Sequence, residues 1–434
     1  MLTREKNDIL CRVEGSAPMG QMMRNYWLAA CTSSDLVAGG SPKRVKLLGE
    51  DLVAYRSPDG TLGLIDEYCP HRGASLFLAH NEDCGLRCLY HGWVMNGEGK
   101  VLETPPEPAD SKLKERVKFA AYTVHEAGGV VFAYMGEKGK APPPPEFEFT
   151  GLSDDQIIIV RSQEQANWAQ CIEGVLDSAH SNYLHSNGIK PNNDIDENTV
   201  LGSKAHLDHP SNDGSPKLEI ETTPYGYRYA AIRKPLHNAD KNKYVRATLY
   251  VAPCYGIFPA AKGWGNMQFF IPLADGATMF WYVIWKREGA IDQETRDRYL
   301  DNTGLRPGQD VDENQINIRN RANNWQQDRD AMKRGDNFTG MTGINNEDIA
   351  IHESMGPIYD RSKEHLGASD LAVIHFRRLM IDAAERYVQT GAPGPGLAEP
   401  VDYSRLRAAE GMIPHAEAWQ IIMDDGPLEK RAAE

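Results

Sequence analysis

From Lys43 to Tyr134 the apolar residues come in short runs: RVKLLG, DLVAYRS, LGLIDEYC, YHGWVMN and YTVHEAGGVVFAYM, bounded by Gly, Asp or Asn. Strand-length alternation between turn residues predicts a small all-β unit. It ends at APPPPEFEF, Ala141 to Phe149. Proline has no amide N–H and a fixed φ, so this run continues neither a central strand nor a helix. It reads as a semi-rigid connector. The chain divides there, into 1–150 and 151–434. Beyond it, NWAQCIEGVLDSAHSNYLH sets Trp168, Cys171, Ile172, Val175, Leu176 and Ala179 at helical spacing. Strands return from Leu218 to Trp285, in YGYRYAAIRK, KYVRATLYVAPC, MQFFIPL and TMFWYVIWK. Helical patterns follow from about Val311 to Ala331 and from Asn346 to Thr390. GAPGPG, Gly391 to Gly396, is broken by proline and reads as a loop. An all-β front followed by a sheet with flanking helices predicts an α+β chain.

Composition narrows the function. The 434 residues suffice for two or three domains, and 47 basic against 61 acidic residues leave a net charge of −14. Nucleic acid and anionic membranes reward a basic patch, so neither is an expected partner. The longest early apolar run, Tyr26 to Cys31, is too short for a spanning helix or a secretion signal, and a cytoplasmic protein is expected. The seven cysteines are scattered and odd in number, which suits free or metal-bound thiols in a reducing compartment.

Only Cys69, Cys84 and Cys88 cluster, in CPHRGASLFLAHNEDCGLRCLYHGW. The pattern is Cys69-x-His71, sixteen residues, then Cys88-x-x-His91. Zinc fingers usually pair Cys with Cys and His with His. Here each half contributes one of each. That matches a Rieske [2Fe–2S] centre, in which two Cys hold one iron and two His the other. Pro70, Gly73 and Gly92 stiffen and turn the two loops. A zinc knuckle is the alternative. Cys84 has no matching partner and reads as a small buried apolar residue.

A second constellation lies in CIEGVLDSAHSNYLHSN. Asp177 and His180 are one helical turn apart, and His185 needs a slightly irregular turn to aim at the same point. Two His plus one carboxylate, with positions left open, is the facial triad of non-haem Fe(II) oxygenases. The candidate carboxylate is Asp348 in INNEDIAIHESMGPIYDR, with Glu347 as the neighbouring alternative. His352, on the same helical face as Asp348, reads as a supporting or core residue.

On these motifs the chain resembles the α subunits of Rieske non-haem iron aromatic ring-hydroxylating oxygenases, and within them the phthalate dioxygenase group, built of α subunits only. The resemblance runs from MRNYWLAAC to about Arg378 and rests on CPHRGA, CLYHGW, D-x-x-H-x₄-H and EDIAIHESMGPIYDR. Respiratory-type Rieske proteins carry a disulfide between the two loops. The corresponding positions here are Ala74 and Tyr90, which points to the oxygenase branch. The resemblance implies a catalytic domain of helix-grip type and an α₃ ring or stacked trimers. It also implies a separate reductase with flavin and an iron–sulfur cluster, because no G-x-G-x-x-G opens a βαβ unit here to take NAD(P)H. It further implies a [2Fe–2S] cluster on Cys69, His71, Cys88 and His91, and a mononuclear iron on His180, His185 and Asp348. Electrons would leave through His91 to Asp177 of the neighbouring subunit, which also contacts His180. The implied reaction adds O₂ to an aromatic acid and gives a cis-dihydrodiol. Monooxygenation or O-demethylation of an aromatic acid is the alternative outcome. A Rieske-type electron-transfer protein and a zinc-stabilised binding protein are the alternatives of other classes.

An aromatic acid needs a cation for its carboxylate. Arg246 in KYVRATLY is the leading candidate, sharing a strand face with Tyr244, Thr248 and Tyr250. Arg233 and Lys234 in AIRKP follow, and Ser178 offers a hydrogen bond. Phthalate, isophthalate and substituted benzoates all fit this reading.

Overall fold

A computed structural model describes residues 1–192 and 210–423. Within them the front of the chain forms three small antiparallel sheets. Trp27–Thr32 pairs with Val130–Tyr134, which pairs with Thr123–Ala127. Lys43–Leu47, Glu50–Arg56 and Leu62–Asp66 form a meander. His80–Glu82, Gly85–Arg87, Val94–Met95 and Val101–Glu103 form the third sheet. Strand periodicity explains how this unit is built. Leu52 and Ala54 face the main core, whereas Val53 and Tyr55 face a smaller core with Cys69, Leu86, Cys88 and Trp93. One strand therefore ties the cysteine loops to the body of the molecule.

The second part is an eight-stranded sheet. Its order is Ile157–Glu164, Ala277–Lys286, Trp264–Ala274, Tyr255–Ile257, Asn242–Val251, Gly226–Arg233 and Lys217–Thr223. Ala409–Pro414 pairs beside Asn242–Val251. The register places Tyr229 opposite Thr248, Ala231 opposite Arg246, Gln268 opposite Tyr282 and Phe270 opposite Phe280. Cross-strand partners share a face, so these residues all point to one side. The helices Trp168–Val175, Ile344–Ser354 and Leu371–Thr390 lie over that side. Glu173 anchors the first of them, accepting from Arg377 at 2.8 Å and from the fully buried Arg361 at 3.1 Å. Burial opposes the charge of Glu173, but the two guanidiniums outweigh it and lower its pKa. The N-terminal helices Arg4–Cys11 and Pro18–Met23 pack on Leu371–Thr390.

Four expectations change. The helical pattern from Asn346 to Thr390 divides into two helices, Ile344–Ser354 and Leu371–Thr390. Val311 to Ala331 is not a continuous helix. It contains a short 3₁₀ segment, Arg321–Gln326, and only the start of the helix Arg329–Arg334. The side chains of Asp312, Asn317 and Asn320 accept hydrogen bonds from nearby backbone amides and displace helical pairing. The helix expected through Ala179, with an irregular turn on to His185, stops at Val175, where Asp177 takes the amides of Ala179 and His180. YHGWVMN contributes only Val94–Met95 as strand, because its first residues form the second cysteine loop.

Candidate metal centres and reaction cavity

The two Cys–His loops repeat one hydrogen-bond pattern. Cys69 N–H donates to Ala74 O at 2.9 Å and Gly73 N–H to Cys69 O at 2.8 Å. In the second loop Cys88 N–H donates to Trp93 O at 2.8 Å and Gly92 N–H to Cys88 O at 3.0 Å. Gly73 and Gly92 adopt φ of 73° and 72°, a left-handed conformation that side chains resist. The loops bring the Cys69 and Cys88 thiols against each other, and the amides of His71 and Arg72 point at the Cys69 sulfur. The His71 and His91 rings lie 4.5 Å apart between centroids, with His71 stacked on Trp93. Burial pushes the Cys69 thiol up to about 11, and Cys88 adds to the shift. Two adjacent thiolates therefore need compensating positive charge, and backbone amides are ready for sulfur. The donor set fits a two-iron cluster. Cys84, expected to be buried, is exposed, because it occupies the hairpin turn between His80–Glu82 and Gly85–Arg87.

The second constellation converges on one point. His180 Nε2 is 3.1 Å from His185 Nε2, and Asp348 Oδ1 is 3.2 Å from His185 Nε2 and 3.7 Å from His180 Nε2. A metal with bonds of about 2.1 Å to such donors spans gaps of this size. The ends of the imidazoles facing away from this point are fixed as well. His185 Nδ1 meets Glu347 Oε2 at 2.8 Å, and Glu347 Oε1 accepts from Thr339 Oγ1 at 2.6 Å. His180 Nδ1 contacts the carbonyl oxygen of Asp177. Burial opposes charge on Asp348, yet the two imidazoles hold it down at about 2. Burial likewise opposes charge on His185, but Asp348 and Glu347 raise it to about 10. Protons here supply positive charge that a metal ion can replace. Glu347 and Asp348, adjacent on the helix Ile344–Ser354, reach opposite ends of His185: Glu347 meets its Nδ1, and Asp348 faces the Nε2 atoms of both imidazoles. His352 stands apart, buried and bonded through Nδ1 to Glu164 at 2.8 Å, with Cys171 beside them.

These groups open onto a cavity of about 140 Å³ between the sheet and the helices. A single aromatic ring needs about this much room. Thr248, Gln268, Phe270, Phe280 and Tyr282 form its floor, as the strand register requires. Of the expected anion contacts, Arg246, Arg233 and Ser178 line the cavity. Lys234 is exposed and outside the wall, just past the end of the strand Gly226–Arg233. Arg233 is 3% exposed and donates to Ser178 O at 2.5 Å, Asp213 O at 3.1 Å and Asn182 Oδ1 at 3.4 Å. Ser178 Oγ is 3.0 Å from Tyr229 Oη. Arg246 Nη1 donates to Glu410 Oε2 at 3.3 Å, and Tyr244 Oη donates to the same oxygen at 2.6 Å. Sequence reasoning missed Glu410, Glu164 and the contact of Glu347 with His185. The proximity of Glu347 to Asp348 was the only signal among them.

Comparisons with known proteins show the family of this chain. Residues 26–121 match the Rieske [2Fe-2S] domain, and residues 133–428 match the LigXa C-terminal domain like family. The phthalate 4,5-dioxygenase oxygenase subunit of Pseudomonas putida is 42% identical, over 97% of this chain and 94% of its own. The 3-chlorobenzoate-3,4-dioxygenase oxygenase subunit of Comamonas testosteroni is 33% identical, over 96% of this chain and 97% of its own. Among solved structures, dicamba monooxygenase bound to 3,6-dichlorosalicylic acid shares the fold. Its TM-score is 0.58 at 15% identity, over 85% of this chain and 99% of that one. The cofactors are one [2Fe–2S] cluster and one mononuclear iron, with NAD(P)H used through a separate reductase. Two domain matches that together span nearly the whole chain, and two full-length relatives, make this chain an α subunit of the Rieske non-haem iron oxygenases, in the phthalate dioxygenase group.

Proposed function

We propose that this subunit adds both atoms of O₂ to adjacent ring carbons of an aromatic carboxylate, of the phthalate, isophthalate or substituted benzoate class. The product is a cis-dihydrodiol, and a separate flavin and iron–sulfur reductase draws the electrons from NAD(P)H. The observation that carries this reading is the one-ring cavity with two His and an Asp at one end and arginines in its wall. When bound, the cluster supplies electrons singly and the mononuclear iron activates O₂.

The chain's own residues do the rest. Cys69, His71, Cys88 and His91 hold the cluster, and His180, His185 and Asp348 hold the mononuclear iron. Glu347 and the Asp177 carbonyl orient the two imidazoles. Arg246 and Arg233 take the carboxylate, with Ser178 at the edge, while Phe270 and Phe280 confine the ring and exclude water.

The subunits form an α₃ ring or stacked trimers in the cytoplasm. Exposed Tyr68, Leu89 and Tyr90 beside the cluster loops, and Tyr183, Ile351 and Met355 around the second site, supply apolar surface for head-to-tail contact. In that arrangement the Asp177 carboxylate meets His91 of a neighbouring copy. The test is turnover of a panel of benzoates, phthalates and their neutral amides with a surrogate reductase. Dihydrodiols from the acids and none from the amides are expected. Equal turnover of acids and amides contradicts the reading.

A further inference from the structure

We propose that Glu410 limits the charge this cavity accepts and makes it a site for aromatic acids with one carboxylate in preference to two. The inference rests on the proposed acid substrate. The strand Ala409–Pro414 pairs antiparallel with Asn242–Val251, and the register sets Glu410 directly opposite Arg246. Cross-strand partners share a face, so Glu410 lies beside the guanidinium on the same side of the sheet, outside the cavity lining. Its side chain is 10% exposed, and its Oε2 accepts from Arg246 Nη1 at 3.3 Å and from Tyr244 Oη at 2.6 Å. The Tyr244 hydroxyl keeps this carboxylate from swinging to solvent.

The wall therefore holds two guanidiniums with Glu410 against one of them, while the other carboxylates of the lining, Asp348 and Glu164, face histidines and Asp177 caps its own turn. The hydrogen-bond acceptors of Arg233 among the described residues are all neutral. Arg233 and Arg246 repel each other; the Asp213 carboxylate acts on Arg233, and Glu410 pairs directly with Arg246. A dianion brings a second carboxylate into a poorly hydrated cavity that has Glu410 just outside its lining, where like charges are costly. Glu410 does not line the cavity, so it acts through Arg246 as a specificity-determining residue.

The test is anaerobic calorimetric binding to the holoenzyme of phthalate, its monomethyl ester and its dimethyl ester, which hold the ring pattern while charge changes. Wild-type protein should bind the monoester about tenfold tighter than the diacid. Glu410→Gln should bring the two within about threefold, mainly by improving the diacid, while Glu410→Asp should keep most of the wild-type ratio. Wild-type protein that binds the diacid as tightly as the monoester overturns the inference, whether or not the variants fold. An unchanged ratio in folded Glu410→Gln also overturns it. Wild-type protein that binds the neutral diester as well as the monoester instead overturns the acid-substrate reading, and this inference with it.

Discussion

His185 Nδ1 lies 2.8 Å from Glu347 Oε2, and both side chains are buried, 4% and 5% exposed. This contact fixes the ring so that Nε2 faces Asp348 and His180. A carboxylate behind a ligand imidazole also makes it a stronger donor. Glu347→Gln keeps the shape but removes the charge. Iron affinity at the mononuclear site should fall about 10-fold to 100-fold, measured by competition with a chelator, while the visible spectrum of the cluster stays the same. Unchanged affinity would remove Glu347 from the support of the site.

The two cysteine loops predict a change of potential. His71→Cys or His91→Cys replaces a neutral ligand with an anion, so the cluster potential should drop. Redox titration followed by electron paramagnetic resonance measures it. A variant that keeps its cluster at the parental potential contradicts the ligand assignment.

Asp177 has two local tasks that asparagine can share. Its Oδ1 accepts from the amides of Ala179 and His180, and its carbonyl meets His180. Asp177→Asn retains these acceptors, so both metal sites should remain largely occupied. Turnover should nonetheless fall by orders of magnitude, because the proposed charged link to a neighbouring copy is lost. Loss of the mononuclear iron, with fast reoxidation of the cluster by any iron that remains, would make Asp177 a structural residue.

The local order of the chain was legible where local chemistry decides it. The strands at Lys43–Leu47, Glu50–Arg56 and Asn242–Val251 follow from alternation and Gly or Pro boundaries. The Cys–His pairs at 69/71 and 88/91 and the pair His180 and His185 were legible from spacing, whereas Asp348 was a candidate from a distant segment with Glu347 as its alternative. Alternation also predicted that Arg246 shares a face with Tyr244 and Thr248, but not that Glu410, 164 residues later, would pair with it. That contact depends on which strand closes the sheet, and no periodicity encodes it. Between Val311 and Ala331 the helical spacing of apolar residues misled, because Asp and Asn side chains took the backbone amides instead.

Arg246→Met keeps the apolar stem and removes the guanidinium fork. A charge-assisted hydrogen bond contributes about 1.5–3 kcal/mol, so the apparent KM for a benzoate should rise by about one to two powers of ten. Preference for the acid over its amide should shrink as well. Both iron contents should stay at parental levels, since Arg246 touches neither ligand set. Unchanged KM and unchanged preference would move the anchor to Arg233.

The central claim is that this cavity adds both oxygen atoms to one aromatic acid. Turnover under ¹⁸O₂ with a surrogate reductase, followed by mass spectrometry of the products from the benzoate and phthalate panel, measures it directly. The predicted result is a dihydrodiol carrying two ¹⁸O atoms on adjacent carbons, formed by the parent and lost in His185→Ala. A product with a single ¹⁸O atom, or formaldehyde released from a methoxy substrate with no diol from any acid, would contradict it.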